Sequence, residues 1–287
     1  GDSTDGTVVL HLLQEVLSTL KGRRPSSANG DLLERSAALK THLLGRQSSA
    51  TRDALRDAIV ACNSLAMSAL GRGNTARCKE LLARALELAY VRRSQHRSSP
   101  SHGDDSDREA KRDTSDKNAA LQVLTLNNTA CLHRRLGEPK RALRCLRRAA
   151  EVGRASGGID HLEVTHLNAC AVLSELGRHE EALEHARSAV FYNQEREEVA
   201  RRRTHNGEIS EGPAIGGSGE TKTARLATLA VSYYNLAVEL EYTGQYDACL
   251  RWYNEAVKLA RDPDVRNDEL VKTFQRSYAA ARKVRRP

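Results

Sequence analysis

One spacing pattern recurs four times in this 287-residue chain and constrains its fold more than any other feature. Each copy opens on a glycine, runs four residues to a small side chain, three more to a side chain that is usually bulkier, and two more to an alanine. The four sets are Gly73, Cys78, Leu82, Ala85; Gly137, Ala142, Leu146, Ala149; Gly177, Ala182, Ala186, Ala189; and Gly244, Cys249, Tyr253, Ala256. Residues three or four apart share one face of a helix. Each set therefore predicts a helix whose contact face carries small side chains, so that a second helix can approach closely. The glycine ahead of it lets the chain reverse in a tight turn.

A partner helix is predicted upstream of each glycine, where a small residue again recurs at a fixed distance: Ala66, Ala130, Cys170 and Ala237. Leu65 and Leu236 precede it in two copies, Thr129 and Ala169 in the others, and an aromatic residue four positions ahead survives only as Tyr233. These residues resemble the tetratricopeptide repeat, a helix–turn–helix unit of about 34 residues. The copies fall at 59–92, 123–156, 163–196 and 230–263. The resemblance implies an all-α fold, a right-handed superhelical solenoid of antiparallel helix pairs, each pair a helix A followed by a helix B.

The rest of the chain is read around that array, which is taken as 51–286. Residues 1–50 are expected to form an N-terminal helical pair, VVLHLLQEVLSTL (8–20) and DLLERSAALKTHLL (31–44), serving as a cap or a degenerate repeat. At the other end, 267–286 is expected to be a capping helix, with Leu270, Val271, Phe274, Tyr278 and Ala281 near one face. Two polar stretches, 94–118 and 204–222, are expected to be disordered inserts. The first holds Ala110 as its one apolar residue and the second is rich in glycine, and such segments bury too little surface to offset the entropy of ordering. The Arg201–Arg203 run is read as the frayed end of the helix before the second insert.

Composition narrows the function more by what it lacks. The 45 Lys and Arg against 37 Asp and Glu leave a net charge of +8, which favours encounters with acidic partners without naming one. No stretch of about 18 apolar residues suggests a membrane span. The six cysteines form no CxxC pair, and are read as reduced thiols filling helix contacts in a cytoplasmic protein. The chain opens on Gly1 and not Met, as a fragment of a longer protein would. GGSGETKT (216–223) lacks the glycine before lysine and the preceding strand of a phosphate-binding loop. His161 and His166 are five residues apart, too far around a helix to share a metal, and His179 and His185 are read as solvated or packed side chains. No catalytic residues, metal site or cofactor are expected, and the chain is read as non-enzymatic.

The candidate site comes from the repeat frame. Asn128, Asn168 and Asn235 all occupy the sixth position of helix A, with Ser64 there in the first copy. The fifth position holds Asn63 and Asn127 in the first two copies. Asparagine is a below-average helix former, so its recurrence at one position asks for another reason. The resemblance implies that this position looks into a concave groove, where amides offering donors and an acceptor suit the backbone of an extended peptide. TLNNTACLHRRLG is similar to the helix A signature of kinesin-light-chain-type repeats, which grip cargo peptides in this way. The expected groove set is Asn63, Ser64, Asn127, Asn128, Arg134, Asn168, Tyr234 and Asn235. Val164 and Val231 stand where chaperone-tail receptors of this superfamily carry basic groove residues, so that partner class is not expected.

A second surface is predicted on helix B of the second copy, where Lys140, Arg141, Arg144, Arg147 and Arg148 form a basic convex patch. It lacks the interleaved aromatics that stack nucleic-acid bases, so nucleic acid is the less expected partner. The function expected is a protein–protein interaction adaptor that binds an extended peptide, acidic peptides among those considered. The alternative is a structural subunit of a cytoskeletal or ciliary assembly, docked through the basic face and terminal helices.

Overall fold

Glycine turns set the geometry from which the rest follows. The computed structural model describes residues 35, 36, 38–40, 42, 44, 48–93, 105–156, 161–207 and 221–284. At Gly137 and Gly177 the backbone is left-handed, φ +71° and +69°, a conformation that costs L side chains about 1–2 kcal/mol. The Gly137 N–H donates to Arg134 O and the Glu138 N–H to His133 O (3.0 and 2.8 Å), and Gly177 and Arg178 repeat this to Ser174 O and Leu173 O (2.9 and 3.0 Å). These paired bonds satisfy carbonyls at the end of helix A. Gly73 and Gly244 end their helices with the same pair.

Two compact units contain these turns, divided between Gly158 and Ile159. The first holds α1 (Ser49–Gly71), α2 (Thr75–Arg93), α3 (Asp105–Arg135) and α4 (Pro139–Ala155). Helix α1 packs on α2, α2 on α3 and α3 on α4, and the two A helices, α1 and α3, also touch. The second holds α5 (Leu162–Glu175), α6 (His179–His205), α7 (Lys222–Tyr242), α8 (Tyr246–Ala260) and α9 (Asp268–Val284). Here α5 pairs with α6, α6 with α7, α7 with α8 and α8 with α9, and α5 touches α7. Among the described residues there is no strand, and each unit is a run of antiparallel helix pairs joined by short turns, as a solenoid requires.

The predicted contact residues are where the helices meet. Ala66, Ala130, Cys170 and Ala237 on the A helices, and Cys78, Ala142, Ala182 and Cys249 on the B helices, are all at most 2% exposed. So are the bulkier Leu82, Leu146 and Tyr253 and the alanines that follow them. Burying each such leucine contributes roughly 2 kcal/mol. Pro139 starts α4 at a position where its missing N–H costs nothing. At the C-terminal end, α9 covers α8 and α7 with Phe274, which is 2% exposed and packs into a cluster with Ala230, Ala256, Val257 and Ala260. The Asn267 side chain accepts from the Leu270 N–H (3.1 Å) at its start.

Two expectations are corrected. Residues 105–118, read as disordered insert, form the first half of α3. They extend a helix already nucleated by its packed half, so the costly first turn is not theirs to form. Likewise α6 continues through Arg201–Arg203 to His205, with Arg201 and Arg202 paired to Glu197 and Glu198 one turn back (3.1 and 2.9 Å). Residues 94–104 and 208–220 of the expected inserts lie outside the described residues, as does the predicted helix at 8–20. The residues described between 35 and 44 are helical, and Lys40 O accepts from the Thr51 hydroxyl (3.0 Å).

A Cβ at Gly177 would meet nothing within 4 Å, which isolates the backbone contribution. Gly177→Ala is expected to lower stability by about 1 kcal/mol, measured by urea unfolding. Gly177→Asn should recover part of that loss because asparagine tolerates the left-handed region better.

Candidate functional site

The A helices leave one stripe uncovered. On α3 it comprises Leu124, Asn128, Cys131 and Arg135, at successive steps of four, three and four residues, all partly or fully exposed. The equivalent stripe is Val164, Asn168, Ala171 and Glu175 on α5, and Val231, Asn235, Val238 and Tyr242 on α7. On α1 it is Val60, Ser64, Met67 and Gly71. Within each stripe an apolar side chain is followed by a polar one, an asparagine in three of the four, while the last position changes from glycine to arginine, glutamate or tyrosine. That arrangement offers a polar group at the same position of each A helix and a variable residue at the end of each stripe.

In the first unit the amides are linked across the two A helices. Asn63, 3% exposed, donates to its own helix at Ile59 O (2.9 Å) and to the Thr125 hydroxyl of α3 (2.8 Å). Thr125 in turn donates to Leu121 O (2.8 Å). The Asn63 carbonyl accepts from Asn128 Nδ2 (2.7 Å). Both N–H bonds of Asn63 and its oxygen are thereby engaged, and the amide is spent on holding α1 to α3. Asn128 is half-buried and keeps one N–H and its carbonyl without a partner among the described residues. It is the residue here that can bond something else.

The expected groove set divides accordingly. Ser64 and Arg134 are exposed and Asn128, Asn168 and Asn235 are partly exposed, whereas Asn63 and Asn127 are buried. Tyr234 also faces a neighbour: its ring stacks on Phe274 of α9 (centroids 4.5 Å, 15°) and its hydroxyl meets Ser277 Oγ at 3.0 Å. Asn63 and Tyr234 share the fifth position of helix A, and each reaches the next helix across the array, α3 for one and α9 for the other. The fifth position is thus a joint between repeats, and the sixth is the open face.

Sequence spacing missed several polar pairings because their partners are distant in the chain. His166 of α5 and His185 of α6 meet at 2.9 Å between their Nδ1 atoms, with His166 stacked on Tyr192. Such a bond needs a proton on one nitrogen and a lone pair on the other. His179 at the start of α6 bonds Glu239 of α7 (Nδ1–Oε2 2.9 Å) and stacks flat on Tyr242 (4.0 Å, 8°). Glu239 is 2% exposed and Glu163, fully buried, pairs with Arg196 at 2.6 Å. Asn193–Ser232 (2.7 Å) and Glu197–Arg225 (3.3 Å) complete the joint between α6 and α7. Each of these groups is engaged in packing helices together. Among the described residues no cluster of three or more His, Cys, Asp or Glu could hold a metal ion, and no helix is long and apolar enough to cross a membrane.

The basic residues of α4, Lys140, Arg141, Arg144, Arg147 and Arg148, are exposed together. The cysteines are free thiols, four of them buried and Cys131 and Cys145 partly exposed. Burial pushes the Cys170 thiol up to about 12, with the Glu239 carboxylate adding to the effect, and Cys249 up to about 11, where Glu241 adds to it.

Two outcomes follow from this geometry. Asn63→Ala should destabilise the first unit by about 2 kcal/mol, more than Asn128→Ala, because it removes two bonds across a buried joint; denaturant unfolding of both variants makes the comparison. Iodoacetamide at pH 8 should alkylate Cys145 in the native chain while Cys170 and Cys249 react only after unfolding, since the thiolate is the nucleophile. Peptide mass spectrometry reads the order.

The comparisons agree with this architecture. Residues 120–190 and 230–263 match family models described as tetratricopeptide repeat. No curated protein matches the chain. Among solved structures, BtubC (BKLC) from P. vanneervenii is similar with a TM-score of 0.54 at 16% identity, over 88% of this chain and 83% of that one. A signal transduction ATPase with numerous domains and a tetratricopeptide repeat sensor, from Pyrococcus horikoshii, aligns with a TM-score of 0.41 at 11% identity, over 98% of this chain and 42% of that one. Repeats of this kind form protein-interaction scaffolds. Over residues 120–190 and 230–263, where the left-handed glycine turns and the buried small-residue contacts recur, the chain carries tetratricopeptide repeats.

Proposed function

We propose that the protein is a non-enzymatic adaptor that holds an extended peptide segment of a partner protein against the open stripes of its A helices. The observation that carries this reading is Asn128. It is fixed by one bond to Asn63 and still has a donor and an acceptor to spend, the pair that a peptide backbone requires. Its orientation is set before any ligand arrives, which lowers the entropic cost of binding. Asn168 and Asn235 occupy the equivalent partly exposed position in the second unit. The apolar residues one turn before them, Leu124, Val164 and Val231, supply contact area beside the amides.

The end of each stripe bears on specificity. Arg135 ends the α3 stripe of the first unit and Glu175 the α5 stripe of the second, so each unit would favour a peptide with a side chain of opposite charge near that end. Charges at the edge of an interface govern partner choice more than total affinity.

A peptide array probed with the full chain identifies a binding sequence. Changing Asn128, Asn168 and Asn235 together to Ala should then weaken that peptide at least about fivefold, one lost bond being worth roughly 1 kcal/mol, while the circular dichroism spectrum stays unchanged. Unchanged affinity in a folded triple variant would rule the amides out. Partner capture that instead depended on the α4 cations would favour a structural subunit of a larger assembly.

A further inference from the structure

We propose that the outward face of α4 is a docking strip for an acidic, extended segment of another protein, separate from the helix A stripes. Lys140, Arg141, Arg144, Arg147 and Arg148 fall within about 120° of one another around the helix axis and span about 12 Å along it. All five are exposed. Glu138 and Glu151 lie at the two ends and are taken by Arg141 (2.9 Å) and Arg148 (3.0 Å). Lys140, Arg144 and Arg147 form no ion pair among the described residues and are the cations of the strip left to a partner.

The repeat frame shows that this charge is peculiar to α4. At the same five positions α6 carries Glu180, Glu181, Glu184, Arg187 and Ser188, and two of its glutamates pair locally with Arg178 and Arg187. In α2 and α8 the same positions mix small, acidic and basic residues. A helix B of this array therefore has no need of a cationic outer face. Like charges three and four residues apart destabilise a helix; among these five positions α4 sets four such pairs, α6 two (Glu180–Glu184 and Glu181–Glu184), and α2 and α8 none.

Dimensions and chemistry favour a polypeptide. Lys140 to Arg144 and Arg144 to Arg148 are each four-residue steps, about 6 Å of rise. Alternate side chains of an extended chain recur at about 6.6 Å. Two or three carboxylates at alternate positions would thus meet the strip in register, and a single extended chain matches the width of a single helix. No aromatic residue lies among the five cations, as base stacking would require. The neighbouring Tyr90 of α2, whose hydroxyl lies by Arg148, and Leu136, just before α4, are about half exposed and give apolar ground beyond each end.

The test uses the full chain and a fluorescein-labelled peptide of alternating glutamate and serine, with the glutamine counterpart as control. Fluorescence anisotropy should show binding of the glutamate peptide that weakens steeply with salt, and little binding of the glutamine peptide. Charge reversal in R144E/R147E should weaken binding by at least about tenfold. If that variant fails to fold, K140Q/R147Q serves in its place. The groove variant N128A/N168A/N235A should bind the glutamate peptide like the wild type. The proposal is overturned if the strip variants bind unchanged, if the glutamine peptide binds equally, if the groove variant loses binding, or if a single-stranded oligonucleotide or anionic vesicles compete better than the glutamate peptide.

Discussion

Close approach between helices A and B is the constraint on which the rest of the structure depends. With alanine or cysteine at Ala66 and Cys78, Ala130 and Ala142, Cys170 and Ala182, and Ala237 and Cys249, the backbones of each pair can pack with little side chain between them. Extra methylene groups at such contacts typically cost 1–3 kcal/mol by forcing the backbones apart. That closeness fixes how each helix is rotated about its own axis, and rotation decides which side chains are left on the surface. The open stripes of the A helices are in this sense a product of alanine and cysteine residues that never reach the surface.

The same rotation explains why adjacent asparagines have different fates. Asn127 and Asn128 differ by one residue, about 100° around α3, and one is buried while the other is partly exposed. Asn63 shows what a fifth-position amide can do when another A helix follows: it supplies directional bonds in a joint otherwise made by apolar contacts. Where α9 follows instead, Tyr234 does the equivalent work with an aromatic face and a hydroxyl. Buried polar bonds of this type add specificity of register to a contact that hydrophobic area alone would leave free to slide.

How much could be read from the chain depended on how far apart the interacting residues are. The glycine turns, the small contact positions, the sixth-position asparagines and the basic face of α4 all repeat or cluster at helical spacing, and all were legible. The burial of Asn63 and the departure of Tyr234 toward α9 were not, because periodicity within one helix says which residues share a face but not which neighbour that face meets. His166–His185 and His179–Glu239 were hidden for the same reason, their members lying 19 and 60 residues apart. The misread stretch at 105–118 failed differently. A lack of apolar residues reads as a lack of structure, yet a polar segment continuous with a packed helix needs no core of its own.

The joint between α6 and α7 carries a consequence for how such an array can change over time. It is held by matched partners, His179 with Glu239, Asn193 with Ser232 and Glu197 with Arg225, and two of the acids are almost fully buried. A different helix placed beside α6 would leave His179 and Asn193 without Glu239 and Ser232, and Glu197 with Arg201 alone, at about 1–3 kcal/mol for each buried polar group left unsatisfied. Duplication, deletion or shuffling of units is therefore not neutral at this boundary. The order of the third and fourth copies is written into their facing side chains.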